Sequence, residues 1–168
     1  KEPKTKFEDR DWILDGCKGR EPRSLKSLLM QDGVLEQHNL DLQKKYKTIE
    51  ENEVKAELYQ VEDAEVIIVA FGISSRISKN AIKQARAKGI KAGLIRPITL
   101  WPFPSKIIES YAKPGVKFFS VEFSCWKKVE DVKLAVNGKC PVDFLGRAGG
   151  GIVSDKQVLD KIEELAKK

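Results

Sequence analysis

Residues 64–96, AEVIIVAFGISSRISKNAIKQARAKGIKAGLIR, constrain the fold more than any other stretch of the chain. Residues 66–71 form a near-continuous apolar run rich in valine and isoleucine, which suits a strand covered on both faces, as in a parallel sheet. Gly72 then turns the chain, and Ser74 or Ser75 is placed to cap the helix that follows. In that helix Ile77, Ala81, Ile82 and Ala85 share one face, while Lys79, Lys83 and Arg86 lie opposite, the period of a helix with one buried side. Gly89 stops the helix, and residues 92–95 are the next apolar run. Two strands joined by a helix make a right-handed βαβ unit, which needs helices on both faces of its sheet.

The flanking chain extends the pattern. Upstream, residues 1–26 are charged and broken by Pro3, Pro22, Gly16 and Gly19, with Trp12, Ile13 and Leu14 as an isolated apolar patch that would pack on the domain or on a partner. The chain starts at Lys1 without an initiator methionine, so a fragment of something longer is expected. Residues 25–30 are a short apolar segment ended by Asp32-Gly33. From 34 to about 51 a helical pattern sets Leu35, Leu42, Tyr46 and Ile49 on one stripe. Residues 54–61 alternate apolar and polar, with Val54, Ala56 and Leu58 pointing one way, as in an edge strand with one wet face. Only Glu62-Asp63-Ala64 joins it to the next strand. That is too short for a crossover helix, so the link either joins antiparallel neighbours or turns the chain across the sheet edge.

Downstream, three prolines in residues 97–104 forbid a regular element, and Pro104 suits the first turn of a helix over 105–112 that buries Ile107, Ile108 and Tyr111. Residues 116–123 read as a strand. Residues 127–136 read as a helix with Val129, Val132 and Val136 inward, ended by Asn137-Gly138. Residues 142–145 read as a last short strand. After the glycine-rich loop 146–151, Ser154 and Gln157 form a capping box for a helix whose apolar face is Val158, Leu159, Ile162, Leu165 and Ala166. The alternation predicts an open three-layer α/β sandwich, in which ligands bind beyond the carboxyl ends of the strands where the strand order reverses. That points to residues 72–75 and 122–126.

Composition narrows the functional classes. With 168 residues the chain makes one domain, or one domain with an arm, and a chain this long buries roughly 70% of its unfolded surface. The net charge of +6 is spread along the chain, without a basic run interleaved with aromatics, so it reads as solvated helix faces rather than a nucleic-acid surface. Cys17, Cys125 and Cys140 are odd in number and lack CxxC spacing, which suits plain thiols in a reducing, cytoplasmic setting and not a zinc or iron–sulfur site. The single His38 cannot form a metal cluster alone. No apolar run reaches the roughly 20 residues of a membrane span.

Residues 71–104, FGISSRISKNAIKQARAKGIKAGLIRPITLWPFP, resemble the C-terminal domain of 2-oxoacid:ferredoxin oxidoreductases of the branched-chain (2-oxoisovalerate) and 2-oxoglutarate types. The similarity is to the alpha-type subunit, in which a pyrimidine-binding region precedes a transketolase C-terminal-like domain. VEDVKLAVNGKCPVDFLGRAGG at 129–150 continues the match. GCKGR at 16–20 and HNLDLQKKY at 38–46 resemble that subunit's interdomain segment. The resemblance divides the chain into a linker or arm, residues 1–52 with a helix near 34–51, and a transketolase C-terminal-like α/β domain, residues 53–168. It implies a mixed, mostly parallel five-stranded sheet of order 1-3-2-4-5, with strand 1 antiparallel and supplied by residues 54–61. For the complex it implies oxidative decarboxylation of a 2-oxoacid with coenzyme A and ferredoxin. Thiamine diphosphate, Mg²⁺ and iron–sulfur clusters would lie elsewhere in the complex and none in this chain. The partners would be a thiamine-binding beta-type subunit, a gamma-type subunit and a ferredoxin-like subunit, with no nucleic acid and no membrane. Two alternatives remain: a free-standing α/β ligand-binding domain, and the equivalent domain of a pyruvate- or indolepyruvate-type enzyme.

The resemblance breaks after Glu122. Relatives tend to carry Asn-x-Gly-Gln there, whereas this chain has Trp126 at the glycine position and Lys127 at the glutamine position. Either the partner contact is altered or the partner differs. No catalytic, cofactor-binding or metal-ligating residue is assigned. The candidate interface or crevice residues are Gly72, Ser74, Ser75, Arg96, Trp101, Glu122, Trp126 and Arg147. Each has a plainer reading. Residues 72–76 could face an anion or partner, but a capped strand–helix turn accounts for them. The Arg147 loop could form a phosphate nest, conceivably for coenzyme A, but a flexible connection accounts for it. Arg96 and Trp101 serve an interface or internal packing equally well. Glu122 is a candidate general acid without a second carboxylate or histidine beside it, so a hydrogen-bonded structural role is favoured. Cys125 has no base to activate it.

Overall fold

A computed structural model describes residues 16–167, so the Trp12-Ile13-Leu14 patch lies outside the described residues. The chain forms two compact units that meet between Lys44 and Lys45, within helix α1 (Val34–Asn52). In the first unit Leu25, Leu28 and Met30 stand almost fully exposed. The apolar stripe expected along α1 buries none of its residues.

The second unit alternates strand and helix: β1 (Ala56–Tyr59), β2 (Val66–Val69), α2 (Gly72–Ala87), β3 (Ala92–Pro97), α3 (Ser105–Tyr111), β4 (Lys117–Glu122), α4 (Lys128–Val136), β5 (Val142–Gly146) and α5 (Asp155–Lys167). The five strands form one sheet of order β1-β3-β2-β4-β5. β2 pairs parallel with both β3 and β4, setting Val66 against Ala92 and Lys117, and β1 alone runs antiparallel, on β3. The side-chain period of two along β2 feeds two cores. Val66, Ile68 and Ala70 pack with Ala81, Ile82 and Ala85 of α2 and Val158, Ile162 and Leu165 of α5. Ile67 and Val69 pack with Ile108 of α3 and Val132 and Val136 of α4. These are the three layers read from the sequence, and β2 is buried at every position.

The edges depart from the pattern. In β1, Leu58 is exposed, while Ala56 and Tyr59 pack against opposite cores. Ala166 of α5 is exposed rather than inward.

The short link after β1 crosses the sheet edge, since β1 pairs with β3 and not with β2. Val61 and Ala64 bury themselves in the α3–α4 core on the way. Gly93 of β3 makes room for this passage: a Cβ there would lie 2.5 Å from the Gln60 carbonyl oxygen and 2.9 Å from the Val61 Cα, both main chain. Arg86 fixes the crossing from α2. Its guanidinium donates to the Gln60 and Ala92 carbonyls, each at 2.7 Å, and pairs with both Asp63 oxygens. The sequence pattern placed Arg86 on the solvent face; it is half-buried because this link runs beneath it.

Gly93→Ala therefore forces main chain apart in the sheet. It should lower unfolding stability by about 2 kcal/mol or more, read by urea denaturation, and a loss below about 0.5 kcal/mol would refute the crowding argument.

Candidate crevice at the carboxyl ends of the strands

β2 hands over to α2 through Phe71 and Gly72. Phe71 is extended (φ −133°) and Gly72 takes φ +59°, so the helix starts earlier than the serine pattern implied, with Phe71 and not Ser74 or Ser75 at the cap position. Ser74 and Ser75 consequently lie inside the first turn and cap nothing. Both are buried, and their hydroxyls donate back to the Phe71 and Gly72 carbonyls at 2.7 Å.

β4 hands over to α4 through Glu122. This residue is 3% exposed, and its carboxylate accepts four hydrogen bonds. Ser120 Oγ (2.8 Å) and the Val129 amide (2.7 Å) donate to Oε1, and Ser124 Oγ (2.8 Å) and the Lys128 amide (2.9 Å) donate to Oε2. The charge also sits at the positive end of α4. Alternation along β4 puts Ser120 and Glu122 on the α4 side, which brings the carboxylate to that helix start. Buried charge is tolerable only when so compensated. A general acid needs a proton to give outward; here both oxygens face donors, so the structural role favoured from sequence fits the geometry.

Trp126 takes φ +63°, the left-handed region that glycine enters freely and bulky L-residues resist. The position where the resemblance led us to expect glycine thus carries an indole on a backbone conformation that glycine favours. The indole stacks on Phe144 of β5, centroids 4.7 Å apart and planes 17° apart, yet stays 59% exposed. Gly146 allows this, since a Cβ there would meet the Phe144 ring and the Ser124 carbonyl oxygen at 2.8 Å. Arg147 follows, its amide donating to the Glu122 carbonyl at 3.2 Å and its guanidinium to the Ile152 carbonyl at 3.1 Å. The guanidinium thus closes the glycine-rich loop on itself. The helix beyond carries the expected capping box: the Ser154 amide donates to Gln157 Oε1 at 3.0 Å, and the Gln157 amide to Ser154 Oγ at 3.2 Å.

Lys128 joins the loops, and sequence reasoning missed it. Its side chain is only 13% exposed. The ammonium sits 4.8 Å from the Phe103 ring centre and 5.7 Å from that of Phe71, with Asp131 at 3.1 Å. No spacing rule reveals this cation–π clamp, because its members come from three separate segments.

The candidate residues thus fall into two groups. Gly72, Ser74, Ser75, Glu122, Trp126 and Arg147 gather at the carboxyl ends of β2, β4 and β5. Arg96 and Trp101 serve the β1–β3 edge instead. Arg96 Nη1 donates to Glu57 at 2.9 Å, and Lys79 pairs with the same carboxylate. Arg96 Nε is buried without an acceptor, which nothing in the structure explains. Trp101 meets Tyr46 edge-to-face at 5.5 Å. A cavity of about 200 Å³ lined by Lys117, Phe118, Pro141, Val142, Asp143 and Leu165 opens at the amino ends of β4 and β5, away from this crevice. Among the described residues no group of His, Cys, Asp or Glu could hold a metal ion, and no helix is long and apolar enough to cross a membrane.

Three outcomes are expected. Glu122→Gln sets an amide donor against four donors, costing about 2 kcal/mol or more of stability by urea denaturation; a change near zero would show that the network is dispensable. Trp126→Gly should be more stable than Trp126→Ala by about 1 kcal/mol, because only glycine relieves the backbone; equal melting temperatures would count against strain at this position. The third concerns pH. Hydrogen bonds from Lys79 and then Arg96 hold the Glu57 carboxyl below its ordinary value of 4.5. The folded form favours the ionised carboxylate. Its contribution is complete above the unfolded value and is lost as pH falls through the folded one. Glu57→Gln should therefore flatten the acid limb of a melting-temperature profile below pH 4.5; an unchanged limb would assign it to other carboxylates.

Residues 64–158 match the family described as pyruvate:ferredoxin oxidoreductase core domain II. Ketoisovalerate oxidoreductase subunit VorB of Methanothermobacter marburgensis is 45% identical over 94% of this chain and 45% of its own length. 2-Oxoglutarate synthase subunit KorA of the same organism is 33% identical over 60% of this chain and 27% of its own. The chain therefore spans less than half the length of these curated relatives. Among solved structures, a 2-oxoglutarate:ferredoxin oxidoreductase from Magnetococcus marinus, with 2-oxoglutarate, coenzyme A and succinyl-CoA bound, aligns with TM-score 0.64 at 17% identity, over 80% of this chain and 24% of that one. A split-gene transketolase, an inactive beta4 tetramer, aligns with TM-score 0.52 at 17% identity, over 66% and 41%. Both show the fold alone. With more than half of its residues matched, this chain belongs to the pyruvate:ferredoxin oxidoreductase core domain II family.

Proposed function

We propose that residues 53–168 are a non-catalytic assembly domain of a thiamine-diphosphate-dependent 2-oxoacid:ferredoxin oxidoreductase, with residues 1–52 as the linker that leads into it. The reaction of the whole enzyme would be 2-oxoacid plus coenzyme A plus oxidised ferredoxin, giving acyl-CoA, carbon dioxide and reduced ferredoxin. A branched-chain 2-oxoacid is the substrate class favoured by the 45% identity to a ketoisovalerate oxidoreductase subunit. The other subunits, thiamine-binding beta-type, gamma-type and ferredoxin-like, would carry the diphosphate, Mg²⁺ and iron–sulfur chemistry in the cytoplasm.

The observation that carries this reading is the internal use of the crevice's polar groups. The described residues do not fit thiamine. Its aminopyrimidine needs a carboxylate with an open face, and the buried Glu122 carboxylate already accepts from two hydroxyls and two amides. The α5 start is closed by its own Ser154–Gln157 box. What faces outward is aromatic and basic, which suits contact with protein.

Full-length subunit, co-produced with its companion subunits, tests the role. Removing residues 53–168 should reduce recovery of the assembled complex on size exclusion, and this chain alone should not decarboxylate any 2-oxoacid. Turnover by the isolated chain would sink the assignment, and so would intact assembly without the domain.

A further inference from the structure

Two neighbouring loops at the carboxyl ends of β2 and β4 leave large apolar side chains in water. Ile73 is 62% and Trp126 59% exposed, with Phe71 half-covered by the Lys128 ammonium. Trp126 is the informative one. A bulky residue at φ +63° persists only where its surroundings hold it. The Phe144 stack supports it, holding one face of the indole while the rest stays exposed. A rigid, exposed indole loses little freedom when a surface closes over it, the property of an interface anchor.

The rim is positive. Arg76 lies one turn from Ile73 on α2, Lys127 follows Trp126, and Arg147 leaves β5 beside the Phe144 stack; all three are exposed. Among the described residues none of the three pairs with a carboxylate. Of the carboxylates nearby, Glu122 is consumed by its four donors and Asp131 faces the Lys128 ammonium at 3.1 Å; exposed Glu130 alone opposes Arg76, Lys127 and Arg147, so the rim keeps a net positive charge. Apolar centre and cationic rim together define the complement by charge: a protein surface with an apolar centre and an acidic rim.

Resting on the assembly role proposed above, we propose that Trp126, Ile73 and Phe71, ringed by Arg76, Lys127 and Arg147, form the docking surface of this domain for an acidic-rimmed, apolar-centred surface on another polypeptide of the same complex.

The test uses the full-length subunit co-produced with its companions, analysed by size exclusion with light scattering at low and high salt. Trp126→Gly removes the ring while easing the backbone, and Arg76→Glu reverses a rim charge. Each should weaken assembly at least about tenfold, the Arg76 variant mainly at low salt. Lys83→Glu, on the exposed side of α2, should assemble as the parent does. Melting temperatures check folding. Should the Trp126 variant melt early, the Arg76→Glu result decides, since among the described residues that exposed side chain forms no hydrogen bond or ion pair. Parental assembly by the patch variants, together with failure after deletion of residues 53–168, would overturn this surface and leave the assembly role standing. Parental assembly by the patch variants and by the deletion would overturn both. If the subunit alone self-associates and the patch variants abolish that, the occupant is a second copy and the proposal fails.

Discussion

A single carboxylate with four donors decides how the crevice is built. Glu122 ends the third parallel strand on the α4 side, where it is almost wholly buried and a charge must be compensated. Two hydroxyls and two helix-start amides supply that compensation. The result fixes the start of α4, and with it Lys128, whose ammonium is held by Phe71, Phe103 and Asp131. The loops after β2, β3 and β4 are thereby tied to one another without any ligand. The Glu122 carboxylate and the Lys128 ammonium are both engaged by groups of this chain.

The division between inside and outside follows from the same economy. The α2–α5 and α3–α4 pairs cover a sheet whose central strand has no exposed residue, so the domain needs nothing further to close its core. What remains exposed at the carboxyl ends of the strands is not required by the core. The Trp126 indole is the clearest case. It occupies a backbone conformation suited to glycine and is steadied by Phe144 rather than swallowed by the interior.

Much of this was legible from residue pattern. Valine-rich runs alternating with amphipathic helices specify the layers, Ser154 and Gln157 announce a helix start, and Asn137 ends α4 in the left-handed conformation expected of it. The sheet order came from resemblance, since periodicity fixes faces but not neighbours. Other features were invisible for physical reasons. Ser74 and Ser75 look like caps, but Gly72 starts the helix before them. The α1 stripe has the right period, yet a period shows only what could be buried, and α1 buries nothing. The Glu122 donors Ser120 and Ser124 are local, whereas the Lys128 clamp depends on rings about 25 and 57 positions away along the chain, beyond any local rule. The cost of a side chain at Gly93 arises from a segment more than 30 positions upstream.

The crossing beneath Gly93 leaves the two ends of the sheet unequal. At the amino end of β3 the backbone passes with no space even for a methyl group, and Arg86 clips both sides of the passage. Lengthening the chain there would break the clip and expose Val61 and Ala64. At the opposite end, the loops after β2, β3 and β4 are joined through the Lys128 side chain instead. The architecture thus locks the one passage at the start of β3, and insertions within such a domain find room only away from that crossing.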